Sequence, residues 1–266
     1  MVVNERHSRR RFRRLPITSP KPTVDLQLAR EKCLWKNLLI QMKLRRLAQS
    51  TIVLTARSGA TLLVDPGKYN LDPGNLTLET FPVADVVIIT HKHADHFDLD
   101  LLKAMLSRSK PRIITNDELK PVLAKHGIDS HAVKPGDSLT EAGFSIKIIQ
   151  ADHFVRGELI LNFGIVVSAD DKSVYHTSDT RFIDTSFLPP ETRSDCLLLP
   201  ISNRGVVMGI DDALVFASEL KPKLTIPIHY DSPKDKDRVN PREFADKAPK
   251  FGLNSRVLNF GEEIEL

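Results

Sequence analysis

Thr90-His91-Lys92-His93-Ala94-Asp95-His96-Phe97-Asp98 is the stretch on which the reading of this chain turns. The apolar run Ala84-Asp85-Val86-Val87-Ile88-Ile89 precedes it and reads as a fully buried strand. Leu99 to Leu106 follows it and reads as a helix. The cluster therefore sits where a strand ends and a helix begins, the place where α/β folds put their ligands. His91 and His93 are two apart. In extended backbone such residues face the same side, so both imidazoles can meet one metal ion. Asp95 and His96 come as the chain turns and point elsewhere. Four metal-type ligands in six residues exceed what one tetrahedral ion takes from so short a loop. Two ions side by side accommodate them.

The rest of the composition narrows the class. At 266 residues the chain is long enough for one large domain plus an appendage. Its two cysteines, Cys33 and Cys196, have no zinc-type partner cysteine nearby and suit a reducing compartment. No apolar run approaches the roughly 18 residues a membrane helix needs. The net charge of +4 hides a split. Residues 1–41 hold 10 Lys+Arg against 3 Asp+Glu, a balance of +7, while the remaining 28 basic and 31 acidic residues leave the body at −3. The basic character belongs to the extension, so overall charge does not argue for a nucleic-acid partner. Ser8-Arg9-Arg10-Arg11-Phe12 looks like a twin-arginine export signal, but Leu15 to Pro22 is not the apolar segment such a signal needs. The Arg excess also fits an organelle transit peptide, and an upstream start ahead of Met42 is a third reading. Residues 1–24 read as a disordered basic tail, and residues 25–41 as a short amphipathic helix around Leu26, Leu28, Leu34, Trp35 and Leu38.

From Met42 the organised body begins. Lys43 to Leu47, Thr51 to Ala56 and Thr61 to Asp65 read as three successive strands, the last ended by Asp65-Pro66-Gly67. Beyond the His-rich loop, Pro111 to Thr115 reads as a strand and Asp117 to His126 as a helix capped by Asn116. His126 and His131 read as surface residues, and His176 as facing the core or flanking the site without being a ligand. Phe144 to Gln150 is a strand that ends at Ala151-Asp152-His153. Asn162 to Ser168 and Ser173 to Thr177 form a hairpin that runs into Thr177-Ser178-Asp179-Thr180. Asp195 to Ile201 is a buried strand, followed by the loop Asn203 to Gly209 and a helix from Ile210 to Leu220. Leu224 to Ile228 is a strand that leads to Pro227-Ile228-His229-Tyr230. A polar loop over Asp231 to Asn240, a helix over Pro241 to Lys250 and closing strands over Arg256 to Leu266 complete the chain.

His91-x-His93-x-Asp95-His96 resembles the metal loop of the metallo-β-lactamase superfamily. The resemblance covers Met42 to the C-terminus and implies a four-layer αββα sandwich of mixed α/β class. It further implies that His91, His93 and His153 hold one metal ion, that Asp95, His96 and His229 hold a second, and that Asp179 bridges them. A carboxylate has two oxygens and can hold two cations while cancelling charge. By the same resemblance Asp65 supports the metal loop by orienting a ligand histidine, and Asp152 can play that part for His153. The opening strands and the run from Met208 to Tyr230 look like the cytosolic hydrolase branch that includes ascorbate-6-phosphate lactonase. Ala48-Gln49-Ser50 stands where that branch has Gly-His-Ser, so Gln49 replaces the usual His, and Ser178 replaces the Gly of its Gly-Asp-Thr.

What the resemblance implies is a cytoplasmic dinuclear hydrolase. Its bridging hydroxide attacks a small anionic ester, lactone or phosphoester, with Asp95 or Asp179 steering the proton. Nitrogen and oxygen ligands suit zinc, and manganese or iron take similar sets. Arg181, Arg204 and Lys68 are candidate contacts for an anionic small-molecule substrate. The competing readings are a nuclease or phosphodiesterase acting on nucleic acid, and a non-catalytic regulatory module that keeps its metals. The expected domain layout is an extension over 1–41 and a hydrolase domain over 42–266.

Overall fold

The computed structural model describes residues 41–72, 74–233 and 238–266. The basic tail over 1–24 and the amphipathic helix expected at 25–41 lie outside the described residues, apart from Gln41. In chain order the first strands are β1 (Lys43–Arg46), β2 (Ile52–Thr55), β3 (Thr61–Val64) and β4 (Val86–Ile88). Then come helix α1 (Leu99–Leu106), β5 (Arg112–Thr115), helix α2 (Lys120–Ala124) and β6 (His131–Ala132). These six strands form one sheet in sequence order, closed beside β1 by the final strand of the chain. The second half opens with β7 (Ser138–Glu141), β8 (Phe144–Gln150), β9 (His153–Val155) and β10 (Glu158–Ile160). It continues through β11 (Phe163–Ala169), β12 (Lys172–His176), β13 (Cys196–Pro200), helix α3 (Ile210–Leu220), β14 (Leu224–Ile228), helix α4 (Pro241–Lys247) and β15 (Glu263–Glu265). The second sheet has the order β14-β13-β12-β11-β8-β7, and β9 and β10 pair as a separate hairpin.

The two sheets repeat one pattern. From β2 to β5 the pairings run antiparallel, parallel, parallel, and from β11 to β14 they do so again. Parallel neighbours need crossovers. Helices α1 and α3 supply them after β4 and β13, while segments without an α-helix join β3 to β4 and β12 to β13. The period of two along each strand splits the apolar residues into layers. Leu62 and Val64, Val86 and Ile88, Ile165 and Val167, and Cys196 and Leu198 turn into one shared core between the sheets. Their neighbours Leu63 and Val87 face outward to Leu101, Leu102 and Met105 of α1. On the other side Val166, Leu197 and Leu199 face Leu214, Phe216 and Leu220 of α3 and Phe244 of α4. Three cores between four layers make an αββα sandwich. No helix among the described residues is long and apolar enough to cross a membrane.

Most elements fall within a residue or two of their expected bounds, and the exceptions are informative. The helix expected over Asp117 to His126 is regular only in α2, although Asn116 does cap the turn before it, accepting from Glu118 N at 3.0 Å and Leu119 N at 2.9 Å. Of the closing strands expected over Arg256 to Leu266, only β15 and an isolated bridge from Ser255 to Thr225 form. His153 does not end β8. It opens the β9–β10 hairpin, which the sequence did not announce. His131 lies on β6, exposed, and His126 is exposed as expected.

One contact fixes the His-rich loop to the fold. The turn after β3 lies against it: Lys68 N donates to Ala94 O at 2.8 Å, and Asp98 N donates to Pro66 O at 3.1 Å. The two backbones approach so closely at Gly67 that a Cβ there would stand 1.8 Å from the carbonyl oxygen of Asp95. Only a residue without a side chain fits. Gly67→Ala must push the Asp95–His96 backbone away, and we expect it to cost about 1–3 kcal/mol in a urea unfolding titration, as overpacking of a tight site does. An unchanged midpoint would show that the approach is not tight.

Candidate metal centre

The site forms where the C-terminal ends of strands from both sheets meet. His91 to His96 follow β4, Asp179 follows β12, and His229 directly follows β14. Asp98 closes the His-rich loop by accepting from Leu101 N at 2.9 Å, which starts α1. Inside the loop His96 N and Phe97 N both donate to His93 O, at 2.9 and 2.8 Å. Four residues at these strand ends take left-handed backbone although none is glycine: Gln49, Asp65, Ser178 and His229, with φ of 54°, 52°, 57° and 63°. Each such residue costs roughly 1–2 kcal/mol relative to ordinary backbone. Strain of this kind gathers where a structure over-determines a functional geometry.

All seven side chains singled out in the sequence come together, in two overlapping groups. One is His91, His93, His153 and Asp179, and the other is Asp95, His96, His229 and Asp179. In each group one nitrogen or oxygen per residue lies within 4.8 Å of all the others. His93 presents Nδ1, which stands 3.1 Å from His91 Nε2 and 3.1 Å from His153 Nε2. Asp179 Oδ2 lies 3.9 Å from His91 Nε2, 3.7 Å from His153 Nε2 and 3.2 Å from His229 Nε2. Asp179 Oδ1 lies 3.0 Å from His96 Nε2, and Asp95 Oδ2 lies 3.2 Å from His229 Nε2.

The approaches of His96 Nε2 and His229 Nε2 to the carboxylates of Asp95 and Asp179 are not hydrogen bonds. His96 Nε2, His229 Nε2 and Asp179 Oδ1 are buried without a hydrogen-bond partner among the described residues. They lie close without the alignment a hydrogen bond requires. Buried polar atoms left in that state are costly, and a cation is the group that satisfies lone pairs of both kinds at once. Five imidazoles and two carboxylates are a donor set that divalent ions of the zinc type accept. The residues present therefore fit a metal.

The far side of the ligands is held as well. Asp65 accepts from Thr90 N at 2.8 Å and from Thr90 Oγ1 at 2.9 Å, and its Oδ2 lies 2.7 Å from His96 Nδ1. Thr90 Oγ1 is in turn 3.1 Å from His91 Nδ1. One carboxylate thus orients two imidazoles, one directly and one through a hydroxyl. His153 Nδ1 donates to Val206 O at 3.2 Å. Asp152, expected in that part, instead accepts from Gln150 Nε2 at 3.0 Å. Asp152 lies in the link between β8 and β9, outside either strand, and its carboxylate turns back toward the end of β8. His176 is buried in the core, bonded through Nε2 to Ser50 O at 2.8 Å, and takes no part in either group. His229 N donates to Gln49 O at 3.2 Å, and Gln49 N donates to Asp231 Oδ1 at 2.8 Å.

The electrostatics divide the cluster. Burial pushes His91, His93 and His153 below the ordinary imidazole range, which leaves them neutral electron-pair donors. Burial also acts on His96, but the carboxylates of Asp179 and Asp65 outweigh it and lift the ring well above that range. His229 is lifted to about 10 in the same way, against burial, by Asp179 and Asp95. Asp179 is held well below the usual carboxylate range by His229 and His96 despite its burial.

A cavity of about 390 Å³ opens onto the cluster. Its wall includes His93, Asp95, His153, Asp179 and His229, and beyond them Tyr69, Arg156, Arg204 and Gln49. Of the three expected anion contacts, Arg204 lines this cavity. Arg181 lines a neighbouring one of about 590 Å³. Lys68 is absent from the wall, and its Nζ stands 6.0 Å from the centre of the Tyr69 ring. Thr90, Tyr69, Arg156 and the Val206 carbonyl escaped the sequence reading. Only Thr90, directly before the first histidine, offered a local signal.

Comparisons with known proteins agree with this geometry. A family model described as the β-lactamase superfamily domain matches residues 43–229. A metal-dependent hydrolase of Staphylococcus aureus strain MRSA252 is 32% identical over 236 residues, spanning 84% of this chain and 100% of the relative. Among solved structures, Igni18, a metallo hydrolase of the archaeon Ignicoccus hospitalis, is 25% identical and superposes with a TM-score of 0.71 over 85% of this chain and 98% of its own. The metallo-β-lactamase fold protein YhfI of Bacillus subtilis, 20% identical, matches in fold with a TM-score of 0.68 over 85% of this chain and 100% of its own. With the sandwich, the strand-end cluster and these relatives in agreement, the chain belongs to the metallo-β-lactamase superfamily and is one of its metal-dependent hydrolases.

Proposed function

We propose that the chain uses a dinuclear site to hydrolyse a small anionic ester, lactone or phosphoester. We read it as a basic extension over 1–41 and a hydrolase domain over 42–266, working in the cytoplasm. The observation that carries the dinuclear reading is Asp179: one buried carboxylate belongs to both ligand groups, with one oxygen nearest His96 and the other nearest His229. His91, His93 and His153 would hold one ion, and Asp95, His96 and His229 the other, with Asp179 shared. Zinc suits these donors best, and manganese and iron accept them too. Bound there, a pair of divalent cations supplies Lewis acidity, which lowers the pKa of water and offsets negative charge growing on a substrate oxygen.

The side chains of the protein do the rest. Asp95 is held ionised by the neighbouring imidazoles against the pull of burial, and its carboxylate reaches the cavity. As a standing acceptor it can orient a water molecule and steer its proton toward the leaving oxygen. Tyr69 is pushed up by burial and by Asp95, so its phenol stays protonated and can donate to a substrate oxygen. Val155 and Val206 give the cavity apolar wall, which strengthens each charge interaction inside it. Asp65 and Thr90 keep the imidazoles aimed. A cavity of about 390 Å³ suits a small molecule, and an acidic body does not favour a polyanion.

The test is a screen of metal-loaded protein against bis(p-nitrophenyl) phosphate, lactones and thioesters. Whatever the wild type cleaves, His91→Ala combined with His93→Ala should bring to background, as should chelation of the wild type. Turnover retained in the metal-free double variant would sink the mechanism.

A further inference from the structure

Two cations share the wall of the cavity with the cluster, Arg156 and Arg204. We propose that they form an anion subsite, so that the substrate carries a permanent oxyanion, a carboxylate or a phosphate monoester, apart from the bond that is hydrolysed. The subsite rests on the hydrolase reading of the same cavity and narrows its substrate class.

The placement of Arg156 works against local preference. It joins β9 to β10 with Gly157, at φ of 53° and 84°, and Val155 and Glu158 close the turn. Both central positions of such a two-residue turn need positive φ, which Asn, Asp and Gly take readily. An arginine there is strained, because its Cβ crowds the following carbonyl oxygen. Its side chain nonetheless lines the cavity. A strained residue at a ligand site is the observation from which a role is properly inferred.

Arg204 arrives from a different segment. It stands beside Gly205, whose φ is 71°, in the loop after β13. Ser202 N to Met208 O at 2.9 Å closes that loop, and Arg204 N donates to Ser202 Oγ at 3.2 Å. Both segments also fix His153. The hairpin carries it, and Val206 of the loop accepts from its Nδ1. The backbone segments that carry the two exposed arginines are thereby referenced to the reacting centre.

Neither guanidinium has an ion-pair partner among the described residues, whereas Arg46, Arg112 and Arg256 each hold a carboxylate. The acids of the same cavity, Asp95 and Asp179, face imidazoles. The two guanidiniums share this wall with the hydroxyls of Tyr69 and Ser232, and each of these four groups can donate to a ligand oxygen. Planar forks of this kind match the oxygens of a carboxylate or phosphate.

The test begins with binding. Inorganic phosphate and, separately, succinate are titrated calorimetrically into metal-loaded wild type and into Arg156→Ala/Arg204→Ala, with metal content measured on the same samples. With metal content equal, the double variant should bind at least one of the two about tenfold more weakly, since hydrogen bonds to charged groups are lost. The anion more affected names the group. No measurable binding to the wild type, or equal affinity in the variant, overturns the subsite. A second arm compares p-nitrophenyl hemisuccinate with p-nitrophenyl butyrate. The wild-type preference for the charged ester should fall in each single variant through KM, and Arg156→Lys should recover part of it. An unchanged preference counts against the subsite. If these esters and the bis(p-nitrophenyl) phosphate, lactones and thioesters of the screen above all go uncleaved while anion binding still depends on the arginines, the hydrolase reading fails and the subsite stands.

Discussion

A buried carboxylate needs compensating charge, and Asp179, 2% exposed, is the residue whose needs shape this molecule. It lies between the two sheets' strand ends, with imidazoles on either side at 3.0 and 3.2 Å. Its placement depends on a network that crosses the sandwich. Asn162 Nδ2 donates to Asp179 O at 2.7 Å. Ser178 Oγ lies 2.8 Å from both Asn162 Oδ1 and Thr90 Oγ1. Thr90 belongs to the His-rich loop of the first sheet and Ser178 to the strand end of the second. One hydroxyl contact thus ties the two halves together at the point where their acids and imidazoles meet.

The same constraint explains why so much backbone here is strained. Asp65, Ser178 and His229 all turn into left-handed conformation directly at or beside a strand end. That conformation reverses the chain within one residue, so a side chain can leave the sheet and face the cluster. A regular continuation of the strand would send it to one sheet face or the other. The cost is offset by hydrogen bonds such as those of Asp65 to Thr90, and by the clamp in which Asp231 holds both Gln49 N and the buried Arg46. His229 is seated through that clamp, by its own backbone bond to Gln49.

How much of this could be read beforehand followed the range of the signal. His91, His93, Asp95 and His96 lie within six residues, so their chemistry was visible in one window. His153, Asp179 and His229 were legible only through resemblance, because a single histidine or aspartate at a strand end carries no spacing. The β9–β10 hairpin was missed because its strands are three residues long and lack apolar alternation. Asp152 stands next to His153 in sequence, but its carboxylate bonds back to Gln150, and adjacency alone does not bring two side chains together. The partner of His153 is the backbone carbonyl of Val206, which no residue type can announce. The tightness at Gly67 was likewise invisible, since it arises from two backbones that are distant in sequence.

The central claim is that Asp179 unites two cation sites. Elemental analysis of protein purified without added metal, counted per folded chain, tests it most directly. Two divalent ions are expected in the wild type, about one in His229→Ala, and fewer than one in Asp179→Ala, because that residue serves both groups. A single ion in the wild type, or two ions retained after Asp179→Ala, would contradict it.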